Sequence, residues 1–330
     1  MDVSRLNDGT PKPGDQALNR TRPAGDLQNK EVERTLMVNK KQHIVILPYY
    51  CEDEVQRYLK IADFLKSQPK SKTEHCFLLA ASPLATTSDE LLNAYSQLAP
   101  TYHFKCPSQV FGYPEGPTAM FWDCMDHIGE KFKGCQGFGL WMESDMCPTR
   151  GDWIDRLSAE WFGAATEPIM MGCYVPKVYK YRLLRKPKLI LDPHINGGAC
   201  YSIGFASQMP AEAREGVFDM AVYKFANKAG RILPTKQITF STLNRVRRDL
   251  RDETKTVLHG FMQDKNRFIA DCVRPISGRE RKTAMLAPVQ ESLETIGRRL
   301  RVCFVRRGHK AMLENMLLAK QRLESKKRVA

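Results

Sequence analysis

At 330 residues, with 42% hydrophobic content and four Trp, eleven Tyr and fifteen Phe, the chain can bury a sizeable core and is not of disordered composition. No apolar run reaches the roughly 18 residues of a membrane span, and no short apolar segment of signal-peptide type opens the chain, so a membrane-embedded or secreted protein is not expected. The formal net charge of +14, from 51 basic against 37 acidic residues, favours polyanionic partners such as nucleic acid, anionic glycan, lipid headgroup or nucleotide.

The ten cysteines stand singly, without the paired spacing of a zinc site or the density of a disulfide scaffold. They read as reduced thiols in a cytoplasmic protein. Much of the basic excess lies late in the chain, in Arg279-Glu-Arg-Lys282, Arg298-Arg-Leu-Arg301 and Lys326-Lys-Arg328, where solvated helix faces and a polyanion-facing surface are both open readings.

Residues 1–42 are polar, Gly- and Pro-containing and aperiodic, and read as a disordered leader. Residues 43–49 form an apolar run of strand length, expected as a central parallel strand. Over residues 52–65, Val55, Tyr58, Leu59, Ala62 and Leu65 recur at helical spacing. A second buried strand is expected over 74–81 and a second helix over 88–98, opened by Ser88 as its cap. A third strand at 101–105 runs into the Gly- and Pro-dense loop 107–117, and Pro117 suits the first turn of a helix reaching residue 128.

The fourth strand, 137–142, ends in Glu143 and Asp145. In a strand, side chains at i and i+2 leave one face, so both carboxylates would project together, a geometry suited to a hard divalent cation. Taken alone, the pair also reads as a polar turn. A helix is expected at 151–162 and a strand at 168–175. Asn196-Gly197-Gly198 offers bare backbone for a polar ligand, and a hairpin turn would want the same residues. Further on come a helix at 217–228, a strand at 236–240, a basic helix at 243–252, a β-prone run 256–260 carrying a lone His259, and basic helical patterns at 289–300 and 309–326. No residue stands out as a general base.

In order and rough separation these segments resemble the glycosyltransferases of the GT-A type. Trp141-Met-Glu-Ser-Asp-Met-Cys-Pro148 is similar to their D-x-D segment, in an E-x-D variant. His194-Ile-Asn-Gly-Gly-Ala-Cys-Tyr201 is similar to the donor-sugar segment of retaining, glycogenin-like members, and Leu258-His-Gly-Phe-Met-Gln-Asp-Lys265 to their late His-Gly…Lys segment. The proline and tryptophan usual after that lysine are replaced by Asn266 and Arg267.

The resemblance implies a GT-A-type, Rossmann-like mixed sheet with flanking helices over 43–275, followed by a basic helical extension over 276–330. It implies a divalent metal held by Glu143, Asp145 and His259, with manganese favoured over magnesium because an imidazole joins the oxygen ligands. Lys265 would meet the diphosphate of a nucleotide-sugar donor. Pro48, Tyr49 and Tyr50 would take the nucleobase, and Asn196 with the Gly197 and Gly198 backbone would hold the sugar. For the acceptor, a hydroxylated base in DNA, as for some bacteriophage enzymes, stands beside a surface or lipid-linked glycan precursor met at an anionic membrane face. A nucleotidyltransferase and a non-catalytic nucleic-acid-binding protein are the readings of other classes.

Overall fold

The computed structural model describes residues 40–176, 178–182, 185–260 and 264–275. Of the leader expected over 1–42, residues 1–39 lie outside the described residues, as do the basic helices expected beyond residue 276, and the first strand begins at Lys41, before the expected end of that leader.

Seven strands form the main sheet: β1 (Lys41–Tyr49), β2 (Cys76–Ala81), β3 (Thr101–Lys105), β4 (Gln136–Trp141), β6 (Met170–Gly172), β11 (Cys200–Ser202) and β12 (Ile232–Pro234). Their order is β12-β6-β11-β4-β1-β2-β3. β1 pairs in parallel with both β2 and β4, whereas β11 runs antiparallel between β4 and β6, so the sheet is mixed as expected. Chain order moves outward from β1 to β3 and then returns to the other side of β1 with β4. In open α/β sheets, ligands bind beyond the strand ends at such a reversal.

Both faces of β1 are covered, which is why its sequence is a continuous apolar run rather than an alternation. Val45, Leu47 and Tyr49 join a core with α1 (Glu52–Lys66), α2 (Asp89–Ser96) and α4 (Trp153–Gly163). Ile44 and Ile46 join the opposite core, with α3 (Glu115–Lys131) and α5 (Phe218–Lys228). The predicted cap of α2 is formed: Ser88 Oγ accepts from the Leu91 N–H at 3.2 Å.

A second, three-stranded sheet orders β13 (Ile238–Ser241), β14 (Val257–Gly260) and β5 (Met146–Pro148). The run expected as one strand over 168–175 divides: β6 joins the main sheet, while β7 (Tyr174–Val175) pairs with β10 (His194–Ile195). The hairpin of β8 (Val178–Arg182) with β9 (Arg185–Leu191) has no counterpart among the sequence expectations. The basic helix expected at 243–252 shortens to α6 (Val246–Asp249). Asp249 is buried and holds Ser241 Oγ at 2.6 Å and Lys255 Nζ at 2.7 Å, so its side chain serves the neighbouring strand and turn. The last described helix is α7 (Lys265–Val273), which packs against α1.

Candidate metal centre

The carboxylates do not leave a strand. β4 ends at Trp141, and residues 143–145 form a turn closed by the Met146 N–H donating to the Glu143 carbonyl at 2.8 Å. The i, i+2 expectation of one strand face is therefore corrected to a turn. It still turns Glu143 and Asp145 toward one point while Ser144 points elsewhere. Tyr58 of α1 fixes the start of this turn to the end of β1, with its hydroxyl 2.7 Å from the Met142 carbonyl and 3.0 Å from that of Pro48.

His259 arrives by strand pairing. β5 leaves the turn directly and pairs antiparallel with β14, opposing Met146 to His259, and the Gly260 N–H donates to the Asp145 carbonyl at 2.8 Å. The imidazole Nε2 thereby lies 3.4 Å from Glu143 Oε2 and 3.4 Å from Asp145 Oδ1. One ligand atom from each of the three residues lies within 4.8 Å of the others. Lys265, the first residue of α7, donates to Asp145 Oδ2 at 2.9 Å.

Asp145 and His259 are buried and Glu143 is part-exposed. Burial alone would raise the Asp145 carboxyl, but His259 and Lys265 outweigh it and hold it at about 2. Burial would likewise lower the His259 imidazole, but Asp145 and Glu143 outweigh it and lift it to about 9. His259 Nδ1 is buried with no hydrogen-bond partner among the described residues, and Phe240 stacks on the ring at 4.9 Å. Two carboxylates and an imidazole form a donor set for a divalent cation, and cis ligands around an octahedral ion lie about 3 Å apart, close to the spacing seen.

Asn196, Gly197 and Gly198 sit against this cluster. A Cβ on Gly197 would meet Phe218 Cζ at 2.7 Å and Glu143 Oε1 at 3.3 Å; one on Gly198 would meet Met146 Sδ at 2.5 Å and His259 Nδ1 at 3.0 Å. The glycines are thus demanded by space. Asn196 Oδ1 accepts from the Gly198 N–H at 3.2 Å, and the Asn196 N–H donates to Cys173 O at 3.1 Å, which sets the turn.

Pro48, Tyr50, Glu143, Asn196, Gly197 and Lys265 share one cleft of about 380 Å³. Tyr49 does not join them. Alternation along β1 sends Pro48 one way and Tyr49 the other, where Tyr49 is fully buried in the core against α1. The expectation of Tyr49 as a stacking surface is corrected on that ground, whereas Tyr50 stays 36% exposed beside the cleft.

Two features escaped the sequence reading. Arg57 of α1 is buried and donates to Ser144 Oγ at 3.0 Å and to Asn266 Oδ1 at 3.1 Å, and Ser144 in turn donates to Glu54 Oε1 at 3.2 Å. One guanidinium thus joins α1, the 143–145 turn and the start of α7. The other is Asp219, which lines the cleft with His194 beside it. A charge directly before a helical Tyr-Leu pair, and an acid in a first helical turn, carry no local signal that separates them from ordinary helix surface.

No protein-family model and no curated protein matches this chain. Among solved structures it is similar to a 4-diphosphocytidyl-2C-methyl-D-erythritol synthase, at 12% identity and a TM-score of 0.42, covering 72% of this chain and 99% of that one. It is also similar to the galactosyltransferase LgtC in complex with donor and acceptor sugar analogs, at 12% identity and a TM-score of 0.38, over 73% and 99% of the two chains. Mouse xyloside xylosyltransferase 1 is similar at 10% identity and a TM-score of 0.38, over 68% and 98%. Scores this low carry no functional conclusion, which rests instead on the geometry of the cleft.

Proposed function

We propose that this chain is a metal-dependent glycosyltransferase of GT-A type that moves a sugar from a nucleotide-diphosphate donor to an acceptor hydroxyl. The observation that carries it is the convergence of Glu143, Asp145 and His259, within 4.8 Å, at the wall of a cleft that Tyr50, Asn196 and Lys265 also line. Buried charge of this kind is costly in folding, and perturbed titratable groups beside a cleft are enriched at sites of chemistry. A reading as a protein that only binds nucleic acid rests on net charge and leaves this cluster unexplained.

In this reading Glu143, Asp145 and His259 hold the cation, with manganese favoured over magnesium by the imidazole. When bound, the cation supplies Lewis-acid stabilisation of the departing diphosphate. Lys265 adds a positive charge at the same end of the cleft. Tyr50 and Pro48 offer a flat surface for the nucleobase, and Asn196 with the bare Gly197 backbone orients the sugar. Arg57 and Tyr58 keep the turn rigid, so that the ligands are aimed before the donor arrives.

The acceptor reading rests on the net charge of +14, which supports a polyanion such as DNA bearing hydroxylated bases, or an anionic glycan. Affinity for duplex DNA that falls steeply between 50 and 200 mM salt, roughly as counterion release requires, supports the DNA version; salt-independent binding opposes it.

A panel of UDP- and GDP-linked hexoses, read by thermal shift with and without manganese, tests the activity. One donor should stabilise the fold in proportion to its concentration, and only with metal present. If no sugar nucleotide in the panel either shifts the transition or is slowly hydrolysed, the reading fails.

A further inference from the structure

Asp219 lines the same cleft as Glu143 and Asn196 but stands apart from the carboxylate cluster. It is the second residue of α5, and its Oδ1 accepts from the Met220 N–H at 2.7 Å. Its Oδ2 faces His194 Nε2 at 3.9 Å, and His194 is anchored through Nδ1 to the Asp192 carbonyl at 2.9 Å. Gly197 brings the two parts of the cleft close together: a Cβ there would meet both Phe218, the residue before Asp219, at 2.7 Å and Glu143 Oε1 at 3.3 Å. Phe218 is in turn stacked on Phe121 at 4.1 Å, which fixes the start of α5.

The chemistry of this position differs from that of the metal cluster. Burial raises the Asp219 carboxyl above its ordinary range, against the pull of His194 and of the Met220 N–H. Its side chain is 14% exposed, so it is shielded from bulk water yet opens to the cleft. A carboxylate that is desolvated, oriented through one oxygen and beyond hydrogen-bond reach of its nearest basic side chain is suited to accept a proton.

We infer that Asp219 is the general base that takes the proton of the acceptor hydroxyl, so that transfer runs as a single displacement. The inference rests on the glycosyltransferase reading. As the O–H proton passes to Asp219, the acceptor oxygen bonds to the anomeric carbon. The bond from that carbon to the diphosphate oxygen breaks, and its electron pair leaves with the diphosphate. The product anomer is inverted, in contrast to the retention that a likeness to glycogenin-like enzymes implies.

The test uses the full chain with manganese and whichever UDP- or GDP-hexose of the panel gives the largest thermal shift, with water as acceptor. Proton NMR reads the first-formed anomer of the released sugar, and turnover is compared for wild type, Asp219→Asn and Asp219→Glu. Inversion is expected, with Asp219→Asn slowed about 10²- to 10⁴-fold, its donor thermal shift unchanged, and Asp219→Glu recovering part of the rate. Retention overturns the inference, as does an Asp219→Asn rate close to wild type or the loss of that variant's donor shift, which would make Asp219 a binding group. A wild-type protein that responds to no donor removes the parent reading instead.

Discussion

Gly198 has almost no room beside the metal cluster, because any side chain would enter the space of Met146 Sδ and His259 Nδ1. In Gly198→Ala the new methyl group has to push the imidazole or the thioether aside. The Met146 side chain can yield more easily than a ring stacked on Phe240, so part of the displacement is absorbed there. The expected result is a loss of manganese affinity of about 10- to 100-fold with the fold intact, as when the setting of a metal ligand is disturbed. Calorimetric titration checks this, and unchanged affinity would mean that Met146 takes up the whole displacement or that His259 is no ligand. Asp145→Asn keeps the shape but removes an anionic ligand and the partner of Lys265. Turnover should fall about 10²- to 10³-fold, the usual scale for one electrostatic contact to developing charge. A fully active Asp145→Asn enzyme would reject the metal assignment.

The elements that converge here are held by one buried side chain. Arg57 spans α1, the 143–145 turn and the first turn of α7, so Arg57→Met would remove the donor from buried Ser144 and from Asn266 and the charge partner from Glu54. A destabilisation of about 2 to 4 kcal/mol is expected, with weakened metal binding, whereas the exposed Lys60→Met should stay within about 0.5 kcal/mol. Urea unfolding with and without manganese separates the two, and equal stability of both variants would contradict the network. The order of strands and helices from β1 to β4 is legible in the sequence because the buried parallel strands β1 and β2 are written as unbroken apolar runs between amphipathic helices, while β3, at the sheet edge, is a short half-exposed run. The separation of β6 from β7 is not, because the run 168–175 stays apolar across Cys173 while the backbone changes sheets. The approach of His259 to Asp145 depends on β5 pairing with β14 across more than a hundred residues, and no local pattern encodes it. Its legibility came from the order of three segments that resemble a family. Asp219 was hidden for another reason: acids are favoured in the first turn of any helix.

For the molecule as a whole, His43 gives stability a pH dependence of defined sign. It lies in β1 at 1% exposure, edge-on to Phe138 at 4.6 Å, with Nδ1 donating to the Glu74 carbonyl at 3.3 Å and Nε2 buried without a partner among the described residues. Burial lowers its pKa from 6.5 to about 4, against the hydrogen bond to Glu74, which raises it. Between these values the unfolded chain binds a proton that the folded chain refuses, so the stabilising difference is full above pH 6.5 and is lost as pH falls toward 4. The loss amounts to about 3 kcal/mol at most, a substantial part of a typical domain's stability. His75 is lowered in the same direction by burial, so the bare acid slope of the protein is a sum over groups. The difference between wild type and His43→Gln isolates one of them, since Gln keeps a donor for Glu74 but does not titrate. The variant should start less stable at pH 8, having lost packing against Phe138, and should then lose less stability than wild type on acidification. Urea unfolding at pH 8, 6.5, 5.5 and 4.5 reads that difference; parallel curves would show that His43 is already protonated in the folded protein or that its burial carries no electrostatic cost.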